Sequence, residues 1–391
     1  MEKINKIGID ARFYGSLVGK GLGRYIQEVV DGVIKIDEKN NYVIFLSPDN
    51  FDEFLLSSER VKKVLAPYRW YSIAEQIIMP WLIWREKVNL MHFPHFNVPI
   101  FCPVKFVVTI HDLILTKFPT VRASTLSPFL YKIKNLFYRL IIWRAVQRSK
   151  KIIAVSEFTK KDITDKFKIN PNKIAVTYEG VANLARGRDS LFVKKLDDNK
   201  TLLSYNIINN FILYVGNVYP HKNLEFLLEV FKKFHEKRPD LKLVLVGRED
   251  YFYQRLKKKA EELNLWRDDI SASSVIFPGY VLDAELEVLY HQALFYIFPS
   301  LYEGFGLPAM EAMAKSCPVA SSNRSALPEI LGEAALYFDP ESFSDTLEKM
   351  EKIADDEDLR EILRKKGREQ IKKYNWWECS RQTLDIYRQI L

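Results

Sequence analysis

The sequence predicts an α/β chain of two parallel-sheet domains, on three observations. Short apolar runs alternate with helical periodicity along nearly the whole length, as strand–helix–strand crossovers do. The rhythm is lost across residues 182–206 and restarts with Phe211-Ile212-Leu213-Tyr214-Val215-Gly216. A length of 391 residues also suffices for two domains of ordinary size, each with its own core.

Taken in order, the expected strands of the first domain are 6–10, 42–46, 106–110, 151–155 and 173–176, each an apolar run bounded by polar or turn residues. After the first strand, residues 15–23 hold four glycines before Arg24-Tyr25-Ile26-Gln27-Glu28-Val29-Val30 begins a helical pattern. This reads as a flexible loop at the carboxyl end of the strand, where open α/β sheets place ligands. The glycines do not keep the G-x-G-x-x-G spacing and lie well past the strand, which disfavours a dinucleotide enzyme. The second domain repeats the pattern with strands at 211–216, 241–247, 275–279, 295–298 and 318–321. The expected domains are 1–185 and 205–370, joined by a linker at 186–204. Residues 371–391 are the terminal segment, whose helix is expected from Glu378 to Leu391 with Asn375 as its cap, and it has too few apolar positions to form a core of its own.

Composition narrows the class. Hydrophobic content of 48% and charged content of 28% describe a folded globular chain. Three well-separated cysteines, Cys102, Cys317 and Cys379, support neither a disulfide framework nor a zinc knuckle and fit a reducing compartment. The N-terminus has no signal-peptide pattern, and the apolar run at 77–84 is interrupted by Pro80 and far shorter than the roughly 20 residues a membrane span requires. The expectation is therefore cytoplasmic. A formal charge of +8 suggests an anionic partner. No nucleic-acid recognition module accompanies it. Residues 131–151 interleave Phe137, Tyr138, Ile141, Ile142 and Trp143 with lysines and arginines, a pattern suited either to a core helix with a basic face or to peripheral contact with the inner face of the cell membrane.

The densest chemistry lies at 298–311, Phe-Pro-Ser-Leu-Tyr-Glu-Gly-Phe-Gly-Leu-Pro-Ala-Met-Glu. It reads as a strand end, a glycine loop and a helix start with Pro308 in the first turn, an anion site in outline. Glu303 in the loop and Glu311 in the expected first turn are acceptors suited to sugar hydroxyls, so a nucleotide sugar satisfies both demands. Acidic first turns are equally ordinary dipole complementation. Gly216-Asn217-Val218-Tyr219-Pro220-His221-Lys222-Asn223 places a lysine near a helix start, a reasonable diphosphate cradle. His111-Asp112 closes a strand of the first domain. His92 and His95 are too few for a metal site. Asp356-Glu357-Asp358 matches D-x-D but lies in an acidic run, as solvated surface.

These segments, together with Val319-Ala-Ser-Ser-Asn-Arg-Ser-Ala-Leu-Pro-Glu329, Thr109-Ile110-His111-Asp112 and Val155-Ser156-Glu157, resemble the family 4 retaining glycosyltransferases of the GT-B fold. The resemblance covers nearly the whole chain in order. It is most specific across 296–340 and loosest across 50–90. It implies two Rossmann-like domains with parallel sheets facing across a cleft, the first for the acceptor and the second for the nucleotide-sugar donor. The C-terminal helix would cross back onto the N-terminal domain.

By the same resemblance His111, Lys222 and Glu303 are the catalytic residues. Lys222 neutralises the diphosphate, His111 reaches the donor sugar, and Glu303 holds that sugar with the backbone of Phe305, Gly306 and Leu307. Glu311 takes the ribose hydroxyls. The loop bearing Gly21, Gly23 and Arg24 closes over the donor, and backbone at Tyr280 and Val281 meets the base. Where the family often carries arginine after the glycine at 216, this chain has Asn217, with His221 and Arg248 nearby to supply charge. No cofactor or metal is implied. The leaving diphosphate itself takes the acceptor proton in a front-side displacement. Resemblance around 321–325 favours GDP-mannose and surface polysaccharide assembly, with a glycan or lipid-linked acceptor. A UDP-dependent glucosyl or galactosyl transferase and a non-catalytic nucleotide-sugar-binding protein remain alternatives.

Overall fold

The structure is a computed structural model that describes residues 4–56, 58–118, 128–181, 197–208, 210–267 and 273–391, the side chains of 16–20 and 128–134 excepted. Two compact units are present: Met1–Gly180 together with Tyr374–Leu391, and Val181–Lys373.

The first unit runs β1 (Lys6–Asp10), α1 (Ser16–Ile36), β2 (Asn41–Leu46), β3 (Val61–Leu65), α2 (Ile73–Arg85), β4 (Leu90–Phe93), β5 (Lys105–Ile110), α3 (Ile114–Lys117), α4 (Pro128–Arg148), β6 (Lys151–Ala154), α5 (Glu157–Phe167) and β7 (Ile174–Val176). The strands form one parallel sheet in the order β3-β2-β1-β4-β5-β6-β7. Ile9 pairs with Ile44 on one side and His92 on the other. Helices α2, α4 and α5 contribute Met79, Leu82, Ile83, Ile142, Ala145, Val146 and Ile163 to one apolar core, as right-handed crossovers returning over the same face require. Local chemistry starts the helices. Ser72 accepts from the Glu75 N–H at 3.2 Å, and Ser156 from the Thr159 N–H at 3.1 Å, each supplying an orphan donor of a first turn with a partner.

The second unit runs α6 (Asp198–Ser204), β8 (Phe211–Val215), α7 (Leu224–Lys237), β9 (Lys242–Val246), α8 (Tyr251–Glu262), β10 (Val275–Gly279), α9 (Asp283–Gln292), β11 (Phe295–Phe298), α10 (Leu307–Ala314), β12 (Val319–Ser322), α11 (Leu327–Leu331), β13 (Ala335–Phe338), α12 (Phe343–Asp355) and α13 (Glu357–Gln370). Its sheet is again parallel, ordered β10-β9-β8-β11-β12-β13. Helix α14 (Trp376–Ile390), capped by Asn375 through the Trp377 N–H at 2.7 Å, belongs to the first unit and packs on α1.

Three sequence expectations need correction. The glycine segment before Arg24 is helix, not loop: α1 starts at Ser16 after Gly15 at φ 94°. Each glycine costs a helix about 1 kcal/mol relative to alanine, so propensity argued for a loop, and packing overrides it. A Cβ at Gly23 would stand 2.1 Å from the Gly15 carbonyl oxygen and 2.6 Å from that of Phe13, so glycine lets α1 approach the turn after β1. The expected linker is described only in part. Residues 182–196 lie outside the described set, and Asp198–Ser204 is helix α6, which packs on α9 and is tied to it by Gln292 Nε2 donating to Asp198 at 2.8 Å. Strands β3, β4 and β13 add to those expected. The first has its apolar run broken by Lys62 and Lys63 at the sheet edge, and the other two are four residues each.

Candidate functional site

In each sheet the chain builds outward from a central strand to one side, then returns to build the other. Open α/β sheets bind ligands at the carboxyl ends of the two strands flanking that reversal. In the second unit those strands are β8 and β11. Residues 216–223 follow β8, and 299–306 follow β11.

The two segments meet through one ion pair. Lys222 ends a single turn of 3₁₀ helix, Pro220–Lys222, and its Nζ stands 2.5 Å from Glu303 Oε1, with both side chains about nine-tenths buried. The lysine also lies over the Phe298 ring at 5.6 Å. Glu303 is held by its backbone as well: its N–H donates to Ser325 Oγ at 2.9 Å, and its carbonyl accepts from the Ala326 N–H at 3.4 Å. Ser325 thus fixes the Glu303 backbone from the loop after β12, a role no sequence pattern signalled.

Gly306 caps α10 at φ 103°, a conformation natural to glycine, and a Cβ there would meet Leu327 at 2.8 Å. With no capping side chain, the first turn presents its backbone donors and the positive end of its dipole. Phe305 is buried beside it. Glu311 is the fifth residue of α10, one turn further in than expected, and its carboxylate accepts from Tyr290 Oη at 3.5 Å.

The remaining donor-side candidates sit at the same edge. Asn217 follows Gly216 directly, and its Oδ1 and the Ser300 Oγ are buried without a hydrogen-bond partner among the described residues. Arg248 is exposed just beyond β9, Tyr280 is exposed and Val281 buried just beyond β10. Gly279 is fixed by Tyr253 Oη, which accepts from its N–H at 2.9 Å. His221 does not replace the family's arginine as a charge. Burial, reinforced by the Lys222 charge, lowers its pKa to about 4 and leaves it neutral.

In the first unit His111 follows β5. Its Nδ1 is 3.0 Å from Glu179 Oε1 and its Nε2 3.0 Å from the Pro94 carbonyl oxygen, while Tyr25 meets the ring edge-on at 4.5 Å. Burial works against the charged ring, but the Glu179 hydrogen bond and charge, with the Pro94 carbonyl, outweigh it and hold the pKa above the usual histidine value. Glu179 drew no attention in the sequence. Arg24 and Gly21 lie on α1, Gly21 exposed. His92 and His95 do not act together: His92 is a buried strand residue bonded to Tyr387 Oη at 2.5 Å and Thr109 Oγ1 at 2.9 Å. Asp356 caps α13 through the Leu359 N–H at 2.8 Å, which accounts for the D-x-D match. Among the described residues no three His, Cys, Asp or Glu side chains stand as a metal-binding group.

Comparison with known proteins agrees with this architecture. The model for Glycosyltransferase Family 4 matches residues 19–182, and that for Glycosyl transferases group 1 matches 206–370, so the two together cover every strand of both sheets except β1. The chain is a family 4 glycosyltransferase of the GT-B fold. This glycosyltransferase is 27% identical over 314 residues to O-antigen chain mannosyltransferase B of Escherichia coli, covering 79% of this chain and 76% of that one. It is also 27% identical over 325 residues to O-antigen chain mannosyltransferase RfbU of Salmonella typhimurium, covering 81% and 79%. Sucrose-phosphate synthase from Thermosynechococcus elongatus shares its fold with a TM-score of 0.76 at 19% identity, over 99% of both chains.

Proposed function

We propose that this glycosyltransferase moves a mannosyl group from GDP-mannose to a hydroxyl of a glycan or lipid-linked acceptor during surface polysaccharide synthesis, with retention and without a metal. The observation that carries the reading is the Lys222–Glu303 pair beside the start of α10, at the switch point of the second sheet. A buried cation and the positive end of a helix dipole are what a departing diphosphate needs. In the reaction the bond from C1 to the diphosphate oxygen breaks, a bond from C1 to the acceptor oxygen forms on the same face, and the acceptor proton passes to the leaving diphosphate. The protein supplies position and charge: Lys222 opposes the developing negative charge, Glu303 orients the lysine and accepts from sugar hydroxyls, and Glu311 accepts from ribose. The mannosyl and polysaccharide parts rest on the names of the two O-antigen mannosyltransferases.

A lipid-linked acceptor is supported by the outer faces of α2 and α4. Ile73, Ile77, Trp81 and Trp84 are between 50% and 81% exposed along one face of α2, and Leu136, Phe137, Leu140 and Trp143 are exposed on α4. Both helices belong to one face of the first sheet, and Ile100 bridges them, its N–H donating to Gln76 Oε1 at 2.9 Å and its carbonyl accepting from Arg148 at 3.3 Å. Residues 113–156 carry no aspartate or glutamate, but include Arg139, Arg144, Arg148 and Lys150. An apolar face ringed by bases suits an anionic bilayer surface. No described helix is long and apolar enough to cross a membrane.

The deciding experiment incubates purified protein with GDP-mannose, UDP-glucose and UDP-galactose, with a lipid-linked oligosaccharide acceptor. NMR of the product should show an α-mannoside. A β-mannoside overturns the retaining mechanism, and transfer only from UDP-sugars overturns the donor.

A further inference from the structure

Ser325 holds a backbone conformation that its side chain disfavours. Its φ is 57°, in the left-handed region where a Cβ crowds the following carbonyl oxygen, and which glycine enters freely but serine does not. Lys168, Asn206, Asn264 and Ser316 share that conformation, but each sits where a helix ends, and there a left-handed residue turns the chain so that the last carbonyls find donors. Ser325 ends no helix, since it lies between β12 and α11. A strained residue persists only where its surroundings over-determine it, and such residues gather at functional sites.

What the strain maintains is visible in the hydrogen bonds. The Ser325 hydroxyl donates to the Arg324 carbonyl at 2.7 Å, which leaves its lone pairs for the Glu303 N–H, donating to it at 2.9 Å. The next N–H, that of Ala326, donates to the Glu303 carbonyl at 3.4 Å. Residues 325 and 326 therefore grip both backbone polar groups of Glu303. Their own loop is anchored in turn: the Asn323 N–H donates to the Phe338 carbonyl at 2.9 Å, and Arg324 pairs with Asp339 and Glu341, each at 2.9 Å. On the other side, the Leu301 N–H donates to the His221 carbonyl at 2.8 Å, which joins the Glu303 loop to the segment bearing Lys222. Strand β11 lies between β8 and β12 in the sheet. Glu303 is thus held at its backbone from the loop after one neighbouring strand and at its carboxylate, by Lys222, from the loop after the other. Two pinned ends leave the side chain between them little rotamer freedom.

The turn itself does not ask for serine. Glycine would adopt the same φ without strain, but it has no hydroxyl to meet the Glu303 N–H. Serine adds the hydroxyl, and the left-handed backbone aims it. We propose that Ser325 is a positioning residue of the transfer reaction, its hydroxyl setting Glu303 so that the carboxylate stands where it takes the hydroxyls of the donor sugar. The inference rests on the reading of Glu303 as the sugar-holding carboxylate, and it gives Ser325 no contact of its own with the donor.

Two substitutions separate the hydroxyl from the backbone. Ser325→Ala and Ser325→Gly both remove the hydrogen bond, but only glycine also relieves the conformation, so Ser325→Gly should have the higher urea midpoint of the two. Turnover should ignore that difference. With whichever of GDP-mannose, UDP-glucose or UDP-galactose the wild type turns over fastest, and a lipid-linked oligosaccharide acceptor, both variants should lose kcat by roughly 10-fold, against about 100-fold for a misplacement of a full 1 Å. Affinity for the matching nucleoside diphosphate, by calorimetry, should equal that of wild type. The double variant decides the route: if Ser325 acts through Glu303, Ser325→Gly should change kcat little once Glu303→Gln is present. Losses that multiply overturn the proposal, as does wild-type kcat in either single variant. Turnover that follows the urea midpoint, with Ser325→Gly the more active, overturns it as well, since that is the mark of a merely structural serine. Hydrogen exchange at the Glu303 amide should be faster in both variants, whatever the donor. A wild type inert towards all three sugar nucleotides removes the transferase reading itself, whereas equal Glu303 amide protection in wild type and variants removes this inference alone.

Discussion

Lys222 Nζ and Glu303 Oε1 are 2.5 Å apart, so the proposed diphosphate lysine and sugar-binding carboxylate hold each other before any donor arrives. Removing one member of such a buried pair costs roughly 3–5 kcal/mol, because the other charge is stranded. Lys222→Met should therefore lose stability as well as turnover, with kcat down about 100-fold, the scale of one lost oxyanion donor. The double variant Lys222→Met/Glu303→Gln separates the two effects: it should regain most of the stability by urea titration and none of the turnover. Recovery of turnover in the double variant would make the lysine structural only.

His111 makes a pH-dependent contribution with a definite sign. Burial depresses its pKa, but Glu179 and the Pro94 carbonyl raise it further, so the folded value lies above the unfolded value of about 6.5. The stabilisation is complete below the unfolded pKa and is lost as pH rises through the folded one. Glu179→Gln should move the His111 imidazole titration, followed by the ring Cε1–Hε1 signal, to lower pH. An unchanged midpoint would show that Glu179 does not hold the charge.

Legibility in the sequence followed burial. Strands such as β5 and β8, enclosed by helices on both faces, read as unbroken apolar runs and were visible residue by residue. The edge strand β3 breaks its pattern with Lys62 and Lys63, and β4 interrupts its short apolar run with His92. The start of α1 was hidden because one of its glycines, Gly23, serves a close backbone approach, a tertiary fact with no local signature. Site residues within contiguous motifs, Lys222, Glu303 and Gly306, were legible. Glu179 and Ser325 were not, since each acts on a partner far away in sequence, His111 at 68 positions and Glu303 at 22.

Glu311 lies in the second turn of α10 with Tyr290 Oη against its carboxylate. If it accepts from the ribose hydroxyls, two charge-assisted hydrogen bonds are at stake, each about 1.5–3 kcal/mol. Glu311→Ala should weaken GDP binding by roughly 10–100-fold, allowing for water replacing part of the contact. The kcat at saturating donor should change little. Calorimetry giving wild-type GDP affinity in this variant would remove Glu311 from the donor site.

The exposed faces of α2 and α4 predict membrane association that tolerates mutation without unfolding, because Trp81 and Trp84 point away from the core. Vesicles of phosphatidylcholine with phosphatidylglycerol should bind the protein and shift tryptophan emission to the blue, whereas pure phosphatidylcholine should bind far less. Trp81→Ser/Trp84→Ser should lower the partition coefficient by at least about tenfold, the equivalent of 1.4 kcal/mol from two lost indoles. Equal partitioning by the variant would assign the patch to another partner. A wild-type chain that dimerises in sedimentation while the variant stays monomeric would identify that partner as a second copy.

Gly21 and Gly23 lie two residues apart in α1 and should respond in opposite directions to the same substitution. Nothing lies within 4 Å of a Cβ built at the exposed Gly21, so Gly21→Ala adds helix propensity and lowers the entropy of the unfolded chain, stabilising by about 0.5–1 kcal/mol. At Gly23 the same gain is opposed by backbone oxygens at 2.1 and 2.6 Å, distances real Cβ atoms do not reach. Those oxygens belong to the turn after β1, which cannot move without displacing Phe13 from the Trp70 ring on which it stacks. Repulsion at that range exceeds the propensity gain, so Gly23→Ala should lower the urea midpoint while Gly21→Ala raises it. Stabilisation by both substitutions would mean that α1 does not press against the turn, and that the glycines are there for motion rather than for packing.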